Sequence, residues 1–192
     1  ILNYAEVDAE EILSIFSEDM NPQYWNIIAQ NIYKKFDDYL GIIIAHGTDT
    51  MAYTASAIAF VFHKGLKGPV VFTGAQRSSD RPSSDSAFNL ISSVIVASNA
   101  PIGESCIVMH GETADSYALV HRGTKVRKMH TSRRDAFQSI NDIPLAKVYP
   151  FEGKLEIINR SYKEKAEMSP EFGFDDKVAL VKYYPGMNND IL

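Results

Sequence analysis

The strongest constraint on the fold is an apolar run that ends in a polar turn and leads directly into a helix. The run Gly41–Ala45 has the composition of a buried strand, the turn is His46–Thr50, and a helix is predicted from Met51 to about Lys64. Similar apolar runs follow at 69–73 and 105–109. Because short all-apolar strands that alternate with helices are typical of a parallel sheet covered on both faces, the sequence predicts an α/β fold with three layers.

Local signals place the other elements of this fold. The pair Asn21-Pro22 favours the start of an amphipathic helix over 22–38, since Asn caps a helix N-terminus and Pro suits the first helical position. Another helix is predicted over about 84–98. Two runs with strand composition flank a Glu-Gly pair, which predicts a β-hairpin within residues 145–158.

The distribution of polar residues predicts the domain organisation. Residues 1–160 are predicted to form one α/β domain that is incomplete at its start. Residues 161–176 are polar, with Lys, Glu and a Ser-Pro pair, and predict an exposed linker. Residues 177–192 contain the strand-like run Val178–Tyr183 and are predicted to begin a second α/β domain. We therefore expect the chain to be a piece of a longer polypeptide.

The composition argues against several functional classes. With 192 residues, 45% of them apolar, the chain can build one domain with a substantial core. The net charge of -5 argues against a protein that binds nucleic acid or a membrane surface. The single cysteine, Cys106, permits no disulfide framework, and no apolar stretch approaches the ~20 residues of a membrane span, so we predict a soluble cytoplasmic protein. The histidines lack metal-ligand spacing and no phosphate-binding glycine motif is present, so we expect no metal and no nucleotide in this chain.

The turn after the first apolar strand is a candidate ligand site. Thr48 and Asp49 stand at the carboxyl end of a strand, where open α/β sheets bind ligands, and the following helix directs its positive end to the same place. One interpretation is helix capping, which both residue types favour. The other is a nucleophilic or water-activating hydroxyl beside a carboxylate that binds a substrate ammonium group.

Two other segments offer side chains to such a site. Lys128 lies in the basic segment 121–134 and is a candidate base, because neighbouring positive charges lower the pKa of a lysine. A solvated basic loop or a patch for an RNA backbone is the alternative. Ser17, in the polar segment 17–21, either belongs to a capping loop or contacts a substrate carboxylate.

Together these segments resemble the bacterial-type asparaginase family. The run HGTDTMAYTA at 46–55 is similar to a signature of that family, and the order Ser17, Thr48-Asp49, Lys128 follows its site order. Within the family, TGAQRSSDRPSSDSAFNL at 73–90 and HRGTKVRKMHTSRRDAFQSIND at 121–142 resemble the D-type branch, found in archaeal glutamyl-tRNA(Gln) amidotransferases. The resemblance implies the flavodoxin-like three-layer fold of the asparaginase N-terminal domain, with a parallel sheet and a terminal hairpin.

The resemblance also implies roles for individual residues. Thr48 corresponds to the second catalytic threonine, which places or activates the attacking water, and Lys128 supports its hydroxyl. Asp49 corresponds to the residue that binds the α-ammonium group of the substrate, and Ser17 to the one that binds the α-carboxylate. Glu18 stands where free asparaginases often have Gln, so we count it among the substrate-binding candidates. The family's first nucleophile lies in a Thr-Gly-Gly-Thr segment, which this sequence lacks, so we expect this chain alone to be inactive.

The activity implied by the resemblance is ammonia release from glutamine or asparagine through a threonyl acyl-enzyme. The ammonia would pass to a partner protein, the E-type subunit of the amidotransferase, where ATP and Mg²⁺ support the conversion of Glu-tRNA(Gln) to Gln-tRNA(Gln). The family also implies a dimer. Arg133 and Arg134 are predicted to meet another protein of the complex or tRNA phosphates. The alternatives are a free cytoplasmic L-asparaginase and a non-catalytic RNA-binding module.

Overall fold

The computed structural model describes residues 4–188 and residue 190, and folds them into a six-stranded sheet with helices on both faces and a separate two-stranded ribbon. The helices are α1 (Pro22–Lys35), α2 (Met51–Val61) and α3 (Ser86–Asn99). The strands are β1 (Ile42–Ala45), β2 (Val70–Thr73), β3 (Ser105–His110), β4 (Ala118–Arg122), β5 (Val126–Lys128), β6 (Phe137–Ser139), β7 (Ala146–Tyr149) and β8 (Lys154–Ile157). Short 3₁₀ turns occupy Ser17–Asp19, Phe36–Asp38 and Gly123–Lys125.

The main sheet has the strand order β1-β2-β3-β4-β7-β8. Strands β1, β2 and β3 are parallel, whereas β4, β7 and β8 continue the sheet in antiparallel pairs. The predicted α/β fold, its parallel strands and the terminal hairpin (β7–β8) are therefore confirmed. Because three parallel strands end at the same edge, the loops that follow β1, β2 and β3 lie side by side there.

The core divides into two apolar clusters, one on each face of the sheet. Val70 and Phe72 pack in the cluster with α1 and α2, while Val71, between them, packs in the cluster with α3. This alternation is what the pleat of a strand requires. Helix α1 begins as predicted, since the Asn21 side chain accepts hydrogen bonds from the N–H groups of Gln23 (3.0 Å) and Tyr24 (3.3 Å). The three layers predicted from the sequence are therefore present.

The predicted strand Val178–Tyr183 is wrong. These residues form neither strand nor helix, and Val178, Leu180 and Tyr183 are 77%, 84% and 78% exposed. A strand is stable only when its backbone pairs with a neighbour, and no described strand lies beside this run. The division into a domain over 1–160 and a second one from 177 stays a prediction, and residues 189, 191 and 192 lie outside the described residues.

The predicted linker, 161–176, follows the surface of the domain without regular structure. Its backbone is held by hydrogen bonds from Ala166 N–H to Leu66 O (2.8 Å) and from Glu171 N–H to Val61 O (2.9 Å). The Phe174 ring packs edge-on against Trp25 of α1 at 5.3 Å between ring centroids. The segment is thus attached to the domain at several points along its length.

A buried histidine in β4 makes stability depend on pH. His121 is completely buried, and burial lowers its pKa to about 4, against about 6.5 in an unfolded chain. The unfolded state therefore binds more protons between these two values, so stability falls as the pH drops from about 6.5 to 4, by about 3 kcal/mol in total. Glutamine does not titrate. We therefore expect the urea midpoint of unfolding to fall less in His121→Gln than in the wild type when the pH is lowered from 7.5 to 4.5. An equal loss in both proteins would contradict this assignment.

Candidate active site

The candidate site lies in the turn His46–Thr50, between the end of β1 and the start of α2. Neither Thr48 nor Asp49 caps the helix, because the N-cap position is Thr50 and no side chain forms a capping hydrogen bond there. The Thr50 hydroxyl instead donates to the backbone carbonyl of Ser17 (2.7 Å). Capping therefore does not account for the hydroxyl and the carboxylate in this turn.

Lys128 joins the two side chains of the turn. Its Nζ donates hydrogen bonds to Thr48 Oγ1 at 2.8 Å and to Asp49 Oδ1 at 2.7 Å. The side chain of Lys128 is only 12% exposed, whereas that of Asp49 is 69% exposed. Lys128 ends β5, in the ribbon β5–β6, and reaches the turn from a position 80 residues along the chain. The alternative of a solvated basic loop therefore does not describe Lys128.

This geometry can support proton transfer at a hydroxyl. Lys128 Nζ contacts the oxygen of Thr48, so a charged lysine stabilises negative charge that develops there, and a neutral lysine can accept the hydroxyl proton. The exposed carboxylate of Asp49 remains accessible to a positively charged group of a ligand. The three side chains thus combine a hydroxyl, an amine and a carboxylate within hydrogen-bond distance.

The turn that holds Ser17 packs directly against Gly47. Ser17 is 8% exposed, and a Cβ atom at Gly47 would lie 2.6 Å from Ser17 Cβ and 2.8 Å from Ser17 Oγ. Only glycine fits there, because real Cβ atoms do not approach another atom so closely. Glu18, the next residue, is exposed. The structure therefore places Ser17 beside the turn, while Glu18 faces solvent.

A pocket of about 80 Å³ adjoins this turn. Its walls include Leu13, Ile44 and His46. Nε2 of His46 is buried and has no hydrogen-bond partner among the described residues. Burial also lowers the pKa of His46, so its neutral form is favoured.

The two arginines of the basic segment differ in their contacts. Arg133 is half exposed and pairs with the neighbouring Asp135 through Nε (2.9 Å) and Nη2 (2.6 Å). Arg134 is engaged inside the chain, since Nη1 contacts Asp115 at 2.7 Å and Nη2 donates to the carbonyl of Ser83 at 2.6 Å. Nη1 and Nη2 of Arg134 thus have partners inside the chain, and the expectation that Arg133 and Arg134 meet another protein of the complex or tRNA stays a prediction.

Sequence reasoning missed Thr50 and Gly47, although both belong to the motif that marks the site. Their roles depend on contact with Ser17, which is 33 residues from Thr50 in the sequence. Within residues 4–188 and 190, no group of three or more His, Cys, Asp or Glu side chains is placed to hold a metal ion. The helices of that part are all too short or too polar to cross a membrane.

The chain belongs to the asparaginase family, since residues 1–163 match the model of the asparaginase N-terminal domain. Its curated relatives include the D-type subunits of glutamyl-tRNA(Gln) amidotransferases. It is 55% identical over 192 residues to the one from Aeropyrum pernix and 59% identical over 190 residues to the one from Sulfurisphaera tokodaii. These matches cover 98% of this chain in both cases, but only 45% and 42% of the two relatives. The chain thus spans less than half the length of these relatives.

A comparison of folds agrees with this family. The solved structure of the thermostable L-asparaginase from Thermococcus kodakarensis superimposes with a TM-score of 0.73 at 30% sequence identity. The match covers 87% of this chain and 47% of that protein. The predicted asparaginase-type α/β fold is therefore confirmed.

Proposed function

We propose that this chain is part of the amidase subunit of a tRNA-dependent amidotransferase. The subunit would release ammonia from glutamine or asparagine for the conversion of Glu-tRNA(Gln) to Gln-tRNA(Gln). The contact of Lys128 with Thr48 and Asp49 carries the amidase part of the proposal. The likeness to the D-type amidotransferase subunits, at 55% and 59% identity, supports the tRNA-dependent part.

Each side chain of the site has a task in this chemistry. Thr48 holds the attacking water, and Lys128 takes up or returns the proton of the Thr48 hydroxyl. Asp49 accepts hydrogen bonds from the α-ammonium group of the amino-acid substrate, which fits its exposed carboxylate. Ser17 donates to the α-carboxylate, and Glu18 is a further substrate-binding candidate.

The site is not complete in this sequence. The family's first nucleophile is a threonine in a Thr-Gly-Gly-Thr segment, and no such segment occurs among the 192 residues. The reaction through a threonyl acyl-enzyme therefore needs the full-length polypeptide, and the chain alone is expected to be inactive.

The proposed partners follow from the same activity. The amidation of Glu-tRNA(Gln) needs ATP and Mg²⁺, which we assign to the E-type subunit of the amidotransferase, because this sequence has no phosphate-binding motif. The full-length protein is proposed to form a dimer and to meet tRNA within the complex. Glutamine or asparagine is its small-molecule substrate.

Ammonia release by the full-length protein tests the proposal. It would be measured with glutamine and with asparagine, first alone and then with the E-type subunit, ATP, Mg²⁺ and Glu-tRNA(Gln). We expect turnover to rise in the complete mixture, with Gln-tRNA(Gln) as a product. Rapid asparagine hydrolysis by the protein alone, unchanged by tRNA, would favour a free L-asparaginase. The similarity to the Thermococcus kodakarensis enzyme supports this alternative.

Thr50 is expected to act on substrate binding through Ser17. Thr50→Val keeps the shape of the side chain but removes the hydrogen bond to the Ser17 carbonyl (2.7 Å). Because Ser17 would bind the substrate carboxylate, we expect KM for glutamine to rise about tenfold, with a smaller change in kcat. A tenfold rise corresponds in free energy to the loss of about one buried hydrogen bond. Thr50→Ser, which keeps the hydroxyl, should stay close to the wild type. A fall in kcat at constant KM would contradict this role.

A further inference from the structure

A chain of hydrogen bonds fastens the ribbon that carries Lys128 to the edge of the main sheet. Among the described strands, β5 and β6 pair only with each other, so backbone pairing does not join the ribbon to the main sheet. A side-chain hydrogen bond of 2.8 Å between His121 Nδ1 of β4 and Ser139 Oγ of β6 does join them. The tip of the ribbon is the segment 129–136, which contains Arg134. Arg134 reaches from the tip to two loops at the sheet edge, contacting the Asp115 carboxylate at 2.7 Å and the Ser83 carbonyl at 2.6 Å.

Asp115 is in turn anchored in the core. Its Oδ1 lies 2.9 Å from Nε2 of His110, the last residue of β3, and the His110 side chain is completely buried. Nδ1 of His110 lies 2.7 Å from Oδ1 of Asn89 in α3. The amide nitrogen of Asn89 donates to Asp85 (3.0 Å) and to the carbonyl of Gly74 (2.9 Å), so Oδ1 is the acceptor for His110. The tip of the ribbon is therefore connected to α3 and β3 through directed contacts.

The buried polar groups of this network have hydrogen-bond partners. Asp85 is buried and accepts hydrogen bonds from the backbone N–H groups of Gln76 (3.0 Å) and Arg77 (2.8 Å). Because Asn89 presents an acceptor to Nδ1 and Asp115 presents one to Nε2, both ring nitrogens of His110 face acceptors. Burial lowers the pKa of His110 and so favours the neutral ring, which donates from one nitrogen at a time, while the charge of Asp115 is paired with Arg134.

The ribbon connects this network with the candidate site. Lys128 stands opposite Phe137 in the ribbon, and the N–H of Met129 donates to the carbonyl of Ala136 at 2.7 Å. Phe137 and Ala136 are buried and fix one side of the ribbon. Its tip is held by Arg134 and by a hydrogen bond of 2.8 Å from Gln76 Nε2 to the Arg133 carbonyl. A shift of the tip therefore moves the backbone from which the Lys128 side chain reaches Thr48.

We propose that Arg134, acting through Asp115, is a positioning residue for Lys128. The pair holds the tip of the ribbon on the sheet edge and thereby keeps Nζ of Lys128 at hydrogen-bond distance from Thr48 Oγ1. The expected loss of rate rests on the proposed amidase function. The attachment of the ribbon tip rests only on the contacts described above. A displacement of a reacting group by about 1 Å costs up to ~10²-fold in rate, so the expected loss is large enough to measure.

The kinetic test uses the full-length protein with the E-type subunit and measures glutamine hydrolysis. We expect Arg134→Met and Asp115→Asn each to lower kcat about 10- to 100-fold with little change in KM, since Lys128 acts in the chemical step. Arg134→Lys should recover part of the loss, because it can still contact Asp115. The matched control is Arg127→Met, since Arg127 lies next to Lys128 on the same ribbon, is exposed and forms no ion pair in the described part of the chain.

A double variant separates positioning from a general effect on the fold. In a Lys128→Met background, Arg134→Met should lower the residual rate less than twofold, because the group that it positions is already gone. An equal loss in both backgrounds would overturn the proposal. So would an Arg134→Met protein that hydrolyses glutamine normally and fails only with Glu-tRNA(Gln), since that result identifies Arg134 as a tRNA contact.

A second measurement does not depend on any activity. Amide hydrogen exchange over residues 126–136 should be faster in Arg134→Met than in the wild type, and unchanged in Arg127→Met. Unchanged exchange in Arg134→Met would overturn the proposal whatever the enzyme does. If the wild type releases no ammonia at all while the exchange changes as expected, the proposed function fails and the role of Arg134 in holding the ribbon stands.

Discussion

Replacement of Thr48 by valine in the full-length protein is expected to lower kcat for glutamine hydrolysis by a factor of about 10³, within the range for a positioned proton-transfer group. Valine has nearly the shape of threonine, so the turn keeps its packing while the hydroxyl is lost. Lys128 Nζ, 2.8 Å from Thr48 Oγ1 in the wild type, then retains only Asp49 as a partner. The substrate would still bind through Asp49, so KM should change little.

The control for this variant is Thr124→Val. Thr124 is an exposed threonine in the 3₁₀ turn Gly123–Lys125, away from the hydrogen bonds of the site. The Thr124→Val protein should hydrolyse glutamine at the wild-type rate. Both variants should unfold at nearly the wild-type temperature. A Thr48→Val protein that keeps more than a third of the wild-type kcat would show that the Thr48 hydroxyl takes no part in the reaction.

The second large effect is expected for Lys128→Met, which should lower kcat by about 10²- to 10⁴-fold. Methionine keeps much of the apolar stem but has no amine to exchange a proton with Thr48. The measurement is glutamine hydrolysis between pH 6 and 10 by the wild type and the variant.

Lys128→Arg distinguishes two ways in which the lysine can act. A guanidinium group stays charged throughout this pH range and cannot accept a proton. Arginine should therefore fail to restore activity if Lys128 is a base, and should restore part of it if Lys128 only supplies positive charge. Lys125→Met, an exposed lysine three residues away, is the control and should behave as the wild type. A Lys128→Met protein with a kcat within threefold of the wild type would contradict the assignment.

The parts of the fold that local patterns determine were predictable from the sequence. Asn21 caps α1 because Asn favours the N-cap and Pro favours the first helical position. The apolar run before His46 forms β1 because it is short and bounded by turn residues. Thr48 and Asp49 follow that strand directly. Their place at the carboxyl edge of the sheet therefore followed from the strand–helix alternation alone.

The contacts that span long distances along the chain were not predictable in the same way. The distance of 2.8 Å between Lys128 and Thr48 depends on a ribbon outside the main sheet. The basic segment made Lys128 one candidate base, with a solvated loop or an RNA patch as the alternative, and the resemblance to asparaginases favoured the contact with Thr48. The sequence around Arg134 is typical of an exposed basic segment. Its partner Asp115 lies in a loop without any recognisable motif, so the sequence did not indicate this contact. The run Val178–Tyr183 has strand composition, yet composition alone does not supply the neighbouring strand that pairing requires.

The central claim is that the Thr48–Lys128 site supplies the ammonia that amidates tRNA-bound glutamate. The most direct test supplies amide-¹⁵N glutamine to the full-length protein with the E-type subunit, ATP, Mg²⁺ and Glu-tRNA(Gln), and measures ¹⁵N in the Gln-tRNA(Gln) formed. We predict that the wild type transfers the label, that Thr48→Val does not, and that added ammonium chloride restores Gln-tRNA(Gln) formation in the variant. Transfer of the label at the wild-type rate by Thr48→Val, or hydrolysis of glutamine by the wild type without labelled product, would contradict the claim.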